Sequence, residues 1–591
     1  LIEGAIKPQW ALLGATFIAI CSFLPLYLAP ASVAEIVKPL FVVLAVSLGL
    51  SWILALCQTT TFGNFILKEA VPGGAMKDPY DTKLYHKFEK FLTLLIKRRF
   101  VTLTTVFVTL VLSLVIMAVM PQSFFPKMNK PYFRADLVFP EGFSIHAVDQ
   151  DVMKVEGYLK NHEKVKSYSV TLGGTPLRYY LASSSFGPKS NYANVMVETK
   201  DPEDAAEVEQ QFYEHMTQNF PNIITRSALF ALSPVPEAAI EIGFIGENPD
   251  TLTALVERAK KIARQCDMVT DIRSNWGDKV PVWKPMFSQQ KGLRLGITRQ
   301  QVANSFRTAT NGLPLGEYRE GDVSLPILLK DEDVEKMNLN DVKSVPVFST
   351  KGNSVKVEQV IDNFALGYDY NVVRRFNRER CMMMQCEPKR GANTMAAFKQ
   401  VLTAVQEQMR LPEGYKMKYF GEQETQDVSN AALAKNIPLT FLLIYVVLLF
   451  LFPSNYRKPV LIMLMLPLVF IGVVWGLLLF GKSLDFFAIL GLLGLIGMNI
   501  KNAIVLVDEI GLQLKDGKGA VPAVVEATKT RIVPVTMASG TTILGMLPLL
   551  GDAMFAGMAA TIMGGLFVST VLTIFVLPVT YCIFFKIRAD R

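Results

Sequence analysis

The sequence predicts an α-helical membrane bundle of about eight transmembrane helices with a large α/β domain outside the membrane. Hydrophobic residues make up 51% of the 591 residues. They collect in long uncharged runs near both ends of the chain, which is the pattern of membrane-spanning helices. The middle of the chain, from about Pro126 to Lys435, instead alternates short apolar strands with amphipathic helices, as a soluble α/β protein does.

Eight apolar runs approach or exceed the length of about 20 helical residues that a bilayer core requires. They are Trp10–Leu28, Val37–Cys57, Phe100–Met120, Pro438–Phe452, Pro459–Phe480, Phe486–Val507, Ile532–Leu550 and Met558–Phe585. The run that begins at Pro438 is the shortest. We therefore predict three spans before the α/β domain and five after it.

Basic residues cluster on one side of the predicted bundle. Lys97–Arg99, Arg457–Lys458, Lys515–Arg531 and Lys586–Arg591 all fall on the same side if the spans alternate in direction. Positively charged loops face the cytoplasm, so the α/β domain is expected outside, in the periplasm of a cell that has one. Membrane topology thus explains the net charge of +8, and nucleic acid is not expected as a partner.

Residues 78–99, between the second and third spans, predict an amphipathic helix on the cytoplasmic membrane surface. Apolar residues recur there at helical spacing among lysines. These apolar residues are Leu84, Phe88, Phe91, Leu92 and Leu95. A plain connector helix is the alternative interpretation.

Two similar units of strands and helices follow one another in the α/β domain, which indicates an internal repeat. The first unit runs from Tyr132 to Asn219. The second begins at Ala239–Gln265 and is completed by Cys381–Phe420. The stretch between its two parts, about Val269–Val360, is interpreted as an insertion.

A methionine run, Met382–Met384, lies between Cys381 and Cys386 and raises the possibility of copper export, because soft sulfur ligands suit Cu(I). Neighbouring residues of a strand point to opposite faces, so a contiguous run cannot converge on one ion without a bulge. Packing of an irregular core is the better interpretation. The sequence has no CxxC or Cys/His metal spacing, and we expect no metal site and no disulfide framework. A single Cys381–Cys386 bridge is the alternative that the sequence allows without requiring it.

Lys501 lies well inside the predicted span Phe486–Val507. A charge at this depth is costly and ordinarily faces a partner or a water-filled path, although a lysine can also snorkel to the interface. No carboxylate lies deep in any other predicted span, and Asp508 and Glu509 lie at the cytoplasmic end of the same helix. We therefore expect the partner outside this chain. The start at Leu1, without a methionine, also suggests a fragment.

Three motifs resemble membrane helices of the resistance-nodulation-division multidrug exporters. GMNIKNAIVLVD (Gly497–Asp508) is similar to their tenth helix, RIVPVTMASGTTILGMLPL (Arg531–Leu549) to their eleventh and GGLFVSTVLTIFVLPVTY (Gly564–Tyr581) to their last. The resemblance extends from the fifth helix of the family to the C-terminus. It implies that this chain is the C-terminal half of a homotrimeric inner-membrane pump.

The resemblance also implies a proton relay. Lys501 matches the family lysine that pairs with two aspartates of the fourth helix, which would lie in an N-terminal half, and Asn502 follows it as in the family. Arg531 matches the family arginine on the cytoplasmic proton path. Its other interpretation, from position alone, is an ordinary positively charged anchor at the start of a span.

Ala538 departs from the family pattern, because the family often has a threonine there. That relay hydroxyl is therefore expected to be either absent or replaced by Ser539 or Thr536. Judged by residue type alone, such hydroxyls more often pack helices together by hydrogen bonding across them.

The resemblance divides the chain into domains. These are 1–77 with transmembrane helices five and six, 78–99 with the surface helix, 100–125 with helix seven, 126–236 as the first porter subdomain, 237–266 and 362–435 as the second porter subdomain, 267–361 as a docking subdomain, and 436–591 with helices eight to twelve.

A loop at Tyr179–Asn191 corresponds to the family's switch loop beside the drug pocket. Tyr179, Tyr180 and Phe186 would offer aromatic faces to amphiphilic ligands, with Phe230 a weaker candidate. Packing of these aromatic residues at the end of a strand is the alternative.

The predicted function is proton-driven efflux, a drug/proton antiport, of amphiphilic drugs or other toxic compounds by the inner-membrane pump of a tripartite system. A periplasmic adaptor and an outer-membrane channel would be its partners, and the proton gradient would take the place of any cofactor. A metal-ion or lipid exporter of the same superfamily and a non-transporting membrane scaffold are the alternatives. The chain has no P-loop, HExxH or GxSxG motif, so we expect a secondary transporter and not an enzyme.

Overall fold

The computed structural model describes residues 9–29, 32–66, 80, 82–123, 128–178, 188–230, 237–331, 339–349, 352–453 and 455–587. The chain forms two compact units. The larger unit comprises the chain up to Asn275 and from Arg375 onward, and the smaller unit is Trp276–Arg374.

The helices are numbered in chain order within the described residues. They are α1 (Gln9–Ser22), α2 (Leu24–Leu28), α3 (Ser32–Ile66), α4 (Lys83–Lys97), α5 (Arg99–Val119), α6 (Ile145–Lys160), α7 (Asp204–Asn219), α8 (Pro249–Ala263), α9 (Gln289–Leu295), α10 (Arg299–Ala309), α11 (Leu339–Ser344), α12 (Thr394–Gln408), α13 (Gly421–Leu451), α14 (Arg457–Leu464), α15 (Val469–Leu479), α16 (Phe486–Lys515), α17 (Ala520–Met546) and α18 (Ala556–Phe584).

The strands are numbered in the same way. They are β1 (Tyr132–Val138), β2 (Val165–Leu172), β3 (Tyr192–Thr199), β4 (Ile224–Leu229), β5 (Ile240–Ile245), β6 (Val269–Ser274), β7 (Lys279–Phe287), β8 (Leu313–Glu320), β9 (Val323–Leu329), β10 (Pro346–Phe348), β11 (Ser354–Lys356), β12 (Ile361–Tyr370), β13 (Arg375–Phe376), β14 (Glu379–Pro388) and β15 (Lys416–Phe420).

Eight helical stretches of the described residues are long and apolar enough to cross a membrane. They are Gln9–Leu28, Lys38–Gly63, Arg99–Val119, Gly421–Leu451, Arg457–Leu479, Phe486–Lys515, Ala520–Gly551 and Ala556–Phe584. Each apolar run that the sequence marks falls on one of these stretches, which fits a membrane helical bundle.

Helix α13 is much longer than the apolar run Pro438–Phe452 that predicts it, because it begins at Gly421. Its first turns are polar and contain Glu422 and Glu424, so hydropathy marks only the apolar half of the helix. Gly421 has a φ of +80°, a backbone conformation that glycine adopts without the strain of a side chain. It lets the chain turn directly from β15 into the helix.

Glycines bring α15 and α18 into backbone contact. A Cβ atom added at Gly472 would lie 2.6 Å from the carbonyl oxygen of Gly564, and one added at Gly476 would lie 2.7 Å from that of Ala560. Small residues at such positions allow two membrane helices to approach closely and gain dispersion contacts. The central position of α18 in the bundle therefore depends on this glycine seam.

Gly476→Ala is expected to destabilise the full-length protein by about 1–3 kcal/mol, because the added methyl group meets backbone that cannot yield easily. Thermal unfolding of the purified protein in detergent would measure it as a lower melting temperature. Gly157→Ala is the matched control, since open space surrounds Gly157 in α6. Equal melting temperatures for the two variants would contradict close backbone packing of α15 against α18.

Helix α4 lies against the bundle by one face. Phe88, Leu92 and Ile96 are buried, and the ring of Phe88 lies 5.6 Å from that of Phe575 in α18. Lys87 and Lys90, on the opposite face of the helix, are exposed. An amphipathic helix is thus present at 83–97, and its position on the cytoplasmic membrane surface stays a prediction.

The first α/β subdomain contains an antiparallel sheet in the order β2-β3-β1-β4. Helices α6 and α7 cover one face, and their buried residues join those of the sheet in one core. Strand β4, which forms an edge of the sheet, lies beyond the end of the first unit that the sequence predicts, Tyr132–Asn219. The second α/β subdomain has the order β13-β14-β5-β15, with β6 also paired to β14, and helices α8 and α12 pack on it.

The inserted unit begins and ends later than the sequence suggests. The docking subdomain is predicted at Asp267–Ile361, whereas the compact unit is Trp276–Arg374. The reason lies in strand pairing. Strand β6 pairs with β14 and so belongs to the second α/β subdomain, whereas β12 pairs with β7 inside the inserted unit. The docking role of this unit stays a prediction.

Candidate functional site

Lys501 lies in the middle of α16, a helix that is mostly buried in the bundle. The stripe that contains it includes the exposed residues Asp508 and Leu512, which follow at helical spacing. Lys501 itself is exposed, and it forms no hydrogen bond or ion pair within the described part of the chain. The helix therefore presents an unpaired cation on an open face of the bundle.

Asn502, Ser539 and Thr570 form a buried polar cluster between α16, α17 and α18. The Asn502 amide nitrogen lies 3.4 Å from the Ser539 hydroxyl oxygen, which lies 2.6 Å from that of Thr570. All three residues are less than 10% exposed. The cluster fixes the register of three apolar helices immediately beside Lys501, because a misaligned polar group would remain unsatisfied.

Arg531 forms an ion pair with Glu509 across α16 and α17. The Arg531 Nε atom lies 3.1 Å from Glu509 Oε2, and an Nη atom contacts the same oxygen. Gln513 donates to the other carboxylate oxygen at 2.8 Å. The Glu509 side chain is only 10% exposed, so this pair is well placed to hold the C-terminal part of α16 against the N-terminal half of α17.

Ser539 and Thr536, the two candidates to replace the hydroxyl missing at Ala538, occupy different environments. Ser539 is buried and faces Asn502, whereas Thr536 is exposed and bonds to the carbonyl oxygen of Ile532 in its own helix. Geometry favours Ser539. The proton-relay roles of Lys501, Asn502, Ser539 and Arg531 stay predictions.

Sequence reasoning did not identify Glu509 or Thr570 as members of this site. The sequence places Glu509 at the cytoplasmic end of its helix, where a charge is unremarkable, and Thr570 among many apolar residues of the last span. Only the packing of neighbouring helices brings them to Arg531 and Ser539. A carboxylate eight residues after an intramembrane lysine is the one signal that pointed there.

Of the four aromatic candidates for substrate binding, Phe230 lies within the described residues. Tyr179, Tyr180 and Phe186 lie outside the described residues. Phe230 is 9% exposed, and its ring centroid lies 6.3 Å from that of Tyr132. Its side chain therefore packs at the end of the first α/β subdomain, and a role in substrate binding stays a prediction.

The cysteine and methionine run of β14 packs in the second α/β subdomain. Cys381, Met382, Met384 and Cys386 are each at most 1% exposed, as core packing predicts. Cys386 is a free thiol. In the described residues no group of three or more His, Cys, Asp or Glu side chains is arranged to hold a metal ion.

Cys381 and Cys386 are expected to resist alkylation in the native protein. Burial raises the pKa of Cys381 to about 11 and that of Cys386 to about 12, which lowers the reactive thiolate fraction at pH 8 roughly 100-fold or more. Mass spectrometry after N-ethylmaleimide treatment would measure this. Lys399→Cys supplies an exposed control thiol, and rapid native labelling of Cys386 would contradict the prediction.

Comparison with known proteins identifies a family whose sequence model covers nearly the whole chain. The sequence model described as the AcrB/AcrD/AcrF family matches residues 2–585. The nickel and cobalt resistance protein CnrA of Cupriavidus metallidurans is 27% identical over 360 residues, which cover 59% of this chain and 33% of CnrA. The swarming motility protein SwrC of Bacillus subtilis is 22% identical, with 100% of this chain and 56% of SwrC covered.

The multidrug export protein AcrF of Escherichia coli is 23% identical, with 97% of this chain and 57% of AcrF covered. Among solved structures, the fold is similar to that of a heavy metal efflux pump, with a TM-score of 0.77 and 16% identity. That match covers 98% of this chain and 58% of the pump. The chain thus spans between 33% and 58% of the length of these relatives.

Proposed function

This chain belongs to the AcrB/AcrD/AcrF family of the resistance-nodulation-division superfamily, and from this premise we propose that it forms part of a proton-driven efflux pump. The proposal is supported most directly by Lys501, a cation on the open face of an apolar helix that has no partner among the residues the structure describes. Such a charge is retained where a partner or a water path makes use of it. Because the chain spans only part of its relatives, the activity is assigned to the full-length protein.

The proposed mechanism is a change of charge partner. A carboxylate site elsewhere in the full-length protein pairs with Lys501, and its protonation releases the ammonium group. Lys501 lies on the same helix as Asn502 and Glu509, which bond to α17. A shift of α16 would therefore move α17 and α18 with it, and that movement would open and close the cleft of the porter domain.

Amphiphilic organic compounds are the proposed substrates. Metal ions are the second candidate, because CnrA and the structurally similar pump carry nickel, cobalt or heavy metals in their names. The chemistry of β14 favours the first candidate, since its thiols are buried, protonated and packed in a core. A lipid or a scaffold function has no comparable support in the described residues.

The proposed pump is a homotrimer in the inner membrane, with a periplasmic adaptor and an outer-membrane channel as partners. The hairpin β8–β9 supports self-association. Every residue of both strands is at least partly exposed, and Leu315, Leu325 and Ile327 are each about half exposed or more. An isolated two-stranded hairpin is marginal in water, so such an apolar arm is better stabilised when it is covered by another subunit.

Leu325→Asp is expected to weaken trimer assembly by at least about tenfold, because an interface position would have to bury a charge. Size-exclusion chromatography with light scattering of the full-length protein would measure the oligomer. Leu293→Asp replaces a leucine that is 72% exposed in the same unit outside the hairpin, and it serves as the control. A trimer as stable as wild type in the Leu325 variant would contradict this role.

Export of a fluorescent amphiphilic dye tests the proposed function. Cells with the full-length protein are expected to export the dye, and a protonophore is expected to stop export without affecting protein levels. Survival in nickel, cobalt and copper salts is measured in parallel. Protection against metals without dye export by a well-expressed protein would favour the second candidate over the first.

A further inference from the structure

The two α/β subdomains are joined through charged side chains. The apolar core of the first subdomain is built from residues between Phe133 and Leu229 and does not extend into the second. Charged groups instead connect the edge strand β4 and helix α7 of the first subdomain to β6 and to loop 389–393 of the second. Directional contacts of this kind restrict the relative position of two rigid bodies to a narrower range than non-directional apolar contacts would.

Arg390, in loop 389–393 between β14 and α12, makes the most complete of these contacts. Its two Nη atoms lie 2.9 Å and 2.6 Å from the two carboxylate oxygens of Glu209 in α7. The same guanidinium lies 2.9 Å from the Ser227 hydroxyl oxygen and 4.1 Å from the centroid of the Tyr213 ring. Glu209 is 7% exposed. Loss of the Arg390 guanidinium would therefore leave a nearly buried carboxylate without its cation.

A second charged contact lies on the opposite face of β4. Arg226 Nε lies 2.7 Å from Asp271 Oδ2 in β6, and Arg273 contacts the same carboxylate. Asp271 has a φ of +47°, and β6 shifts register on β14 near this point. An aspartate held in this uncommon backbone region indicates that its surroundings dictate the aim of its carboxylate.

Loop 389–393 is also tied to the membrane bundle. The Asn393 Nδ2 atom donates to the carbonyl oxygen of Gln122, just after α5, at 2.8 Å. Gln122 in turn pairs with Leu484 in a short parallel bridge, and the Leu484 amide donates to the carbonyl oxygen of Pro121 at 3.2 Å. Leu484 immediately precedes α16, the helix that carries Lys501.

We propose that loop 389–393 is the mechanical joint between the Lys501 helix and the interface of the two α/β subdomains. Arg390 and Asn393 are its positioning residues: Asn393 follows the outer end of α16, and Arg390 transfers that movement to the first subdomain. This proposal rests on the proposed transport function, which sets the direction in which movement passes through the loop. The physical link itself needs no transport, because it consists of contacts between named groups.

Charge reversal tests the Arg390 contact. Spin labels at Lys160 and Lys399, one exposed position in each subdomain, report the distance between the subdomains in the full-length protein after replacement of its accessible thiols. Arg390→Glu is expected to lengthen and broaden that distance distribution, and Glu209→Arg added to it is expected to restore it. Lys166→Glu, which breaks a 2.8 Å ion pair inside the first subdomain, is the control. An unchanged distance distribution for Arg390→Glu would show that the Arg390–Glu209 contact does not fix the position of the two subdomains.

Asn393→Asp tests the link to the membrane. The Asn393 side chain also caps α12 by accepting from the Ala396 amide, and aspartate caps a helix equally well. The carboxylate cannot donate to the Gln122 carbonyl oxygen, however. Dye efflux is expected to fall several-fold while the melting temperature and the distance distribution stay at wild-type values. Wild-type efflux in this variant would remove Asn393 from the joint.

The two readouts separate failure of this inference from failure of the proposed function. If the wild-type protein exports no dye but the distance distribution responds to charge reversal, the transport proposal is refuted and the Arg390–Glu209 contact between the subdomains stands. Efflux that survives Arg390→Glu with an unchanged distribution would refute the joint and keep the pump. Rescue of both distance and efflux by the charge swap is the result expected of a positioning residue.

Discussion

Lys501→Ala is expected to reduce proton-coupled dye efflux by the full-length protein to background while leaving the protein folded in the membrane. Removal of an exposed charge from an apolar helix lowers the cost of inserting that helix, so stability is expected to hold. The loss falls on transport, because no other lysine or arginine lies within two helical turns of this position in α16. Efflux rates from cells matched for membrane protein levels measure the effect.

Two further variants sharpen this result. Lys501→Arg retains the positive charge with a planar fork in place of a compact ammonium, and partial efflux is expected from it. Lys515→Ala removes an exposed lysine from the last turn of the same helix and is expected to behave as wild type. Intact efflux by a well-expressed Lys501→Ala protein would end the proposed role of this residue.

The elements of the fold that hydropathy dictates could be predicted from the sequence. Each apolar run lies on a helix, and both predicted α/β units contain strands and helices in alternation. Strand β4, with the sequence ITRSAL, was missed because it is polar and only partly buried at the sheet edge. The limits of the inserted unit were misplaced because they depend on which distant strand β6 and β12 choose as partner, and local pattern carries no such information.

The candidate site divides in the same way. Lys501 could be identified because a charge within an apolar run is visible in one dimension. Its unpaired state, the burial of Ser539 and the pairing of Arg531 with Glu509 depend on which helix faces which. Spans that are apolar on every face leave the neighbour of each face undetermined, since lipid and protein interiors are about equally apolar.

Glu509→Gln is the second change expected to have a large effect, because it removes the negative charge opposite Arg531 while keeping the shape of the side chain. The glutamine amide oxygen still accepts from Gln513, so the loss isolates the ion pair. Removal of one partner from a buried pair costs about 3–5 kcal/mol. Because the Arg531 side chain is 37% exposed, solvent screens the pair, and we expect Glu509→Gln to lower the free energy of unfolding by about 1–3 kcal/mol.

A double-mutant cycle distinguishes an ion pair that sets the position of α17 from two independent charges. Glu509→Gln and Arg531→Gln are each expected to lower efflux at least about tenfold, and the double variant is expected to lose little more than either one, since the second change removes a group already without its partner. Glu526→Gln removes a carboxylate that makes only a 3.8 Å contact with Lys529 within α17, and it should leave efflux unchanged. Additive losses in the double variant would mean that Arg531 acts apart from Glu509, and α16 and α17 would then have to be held together by the Asn502–Ser539–Thr570 cluster instead of by this ion pair.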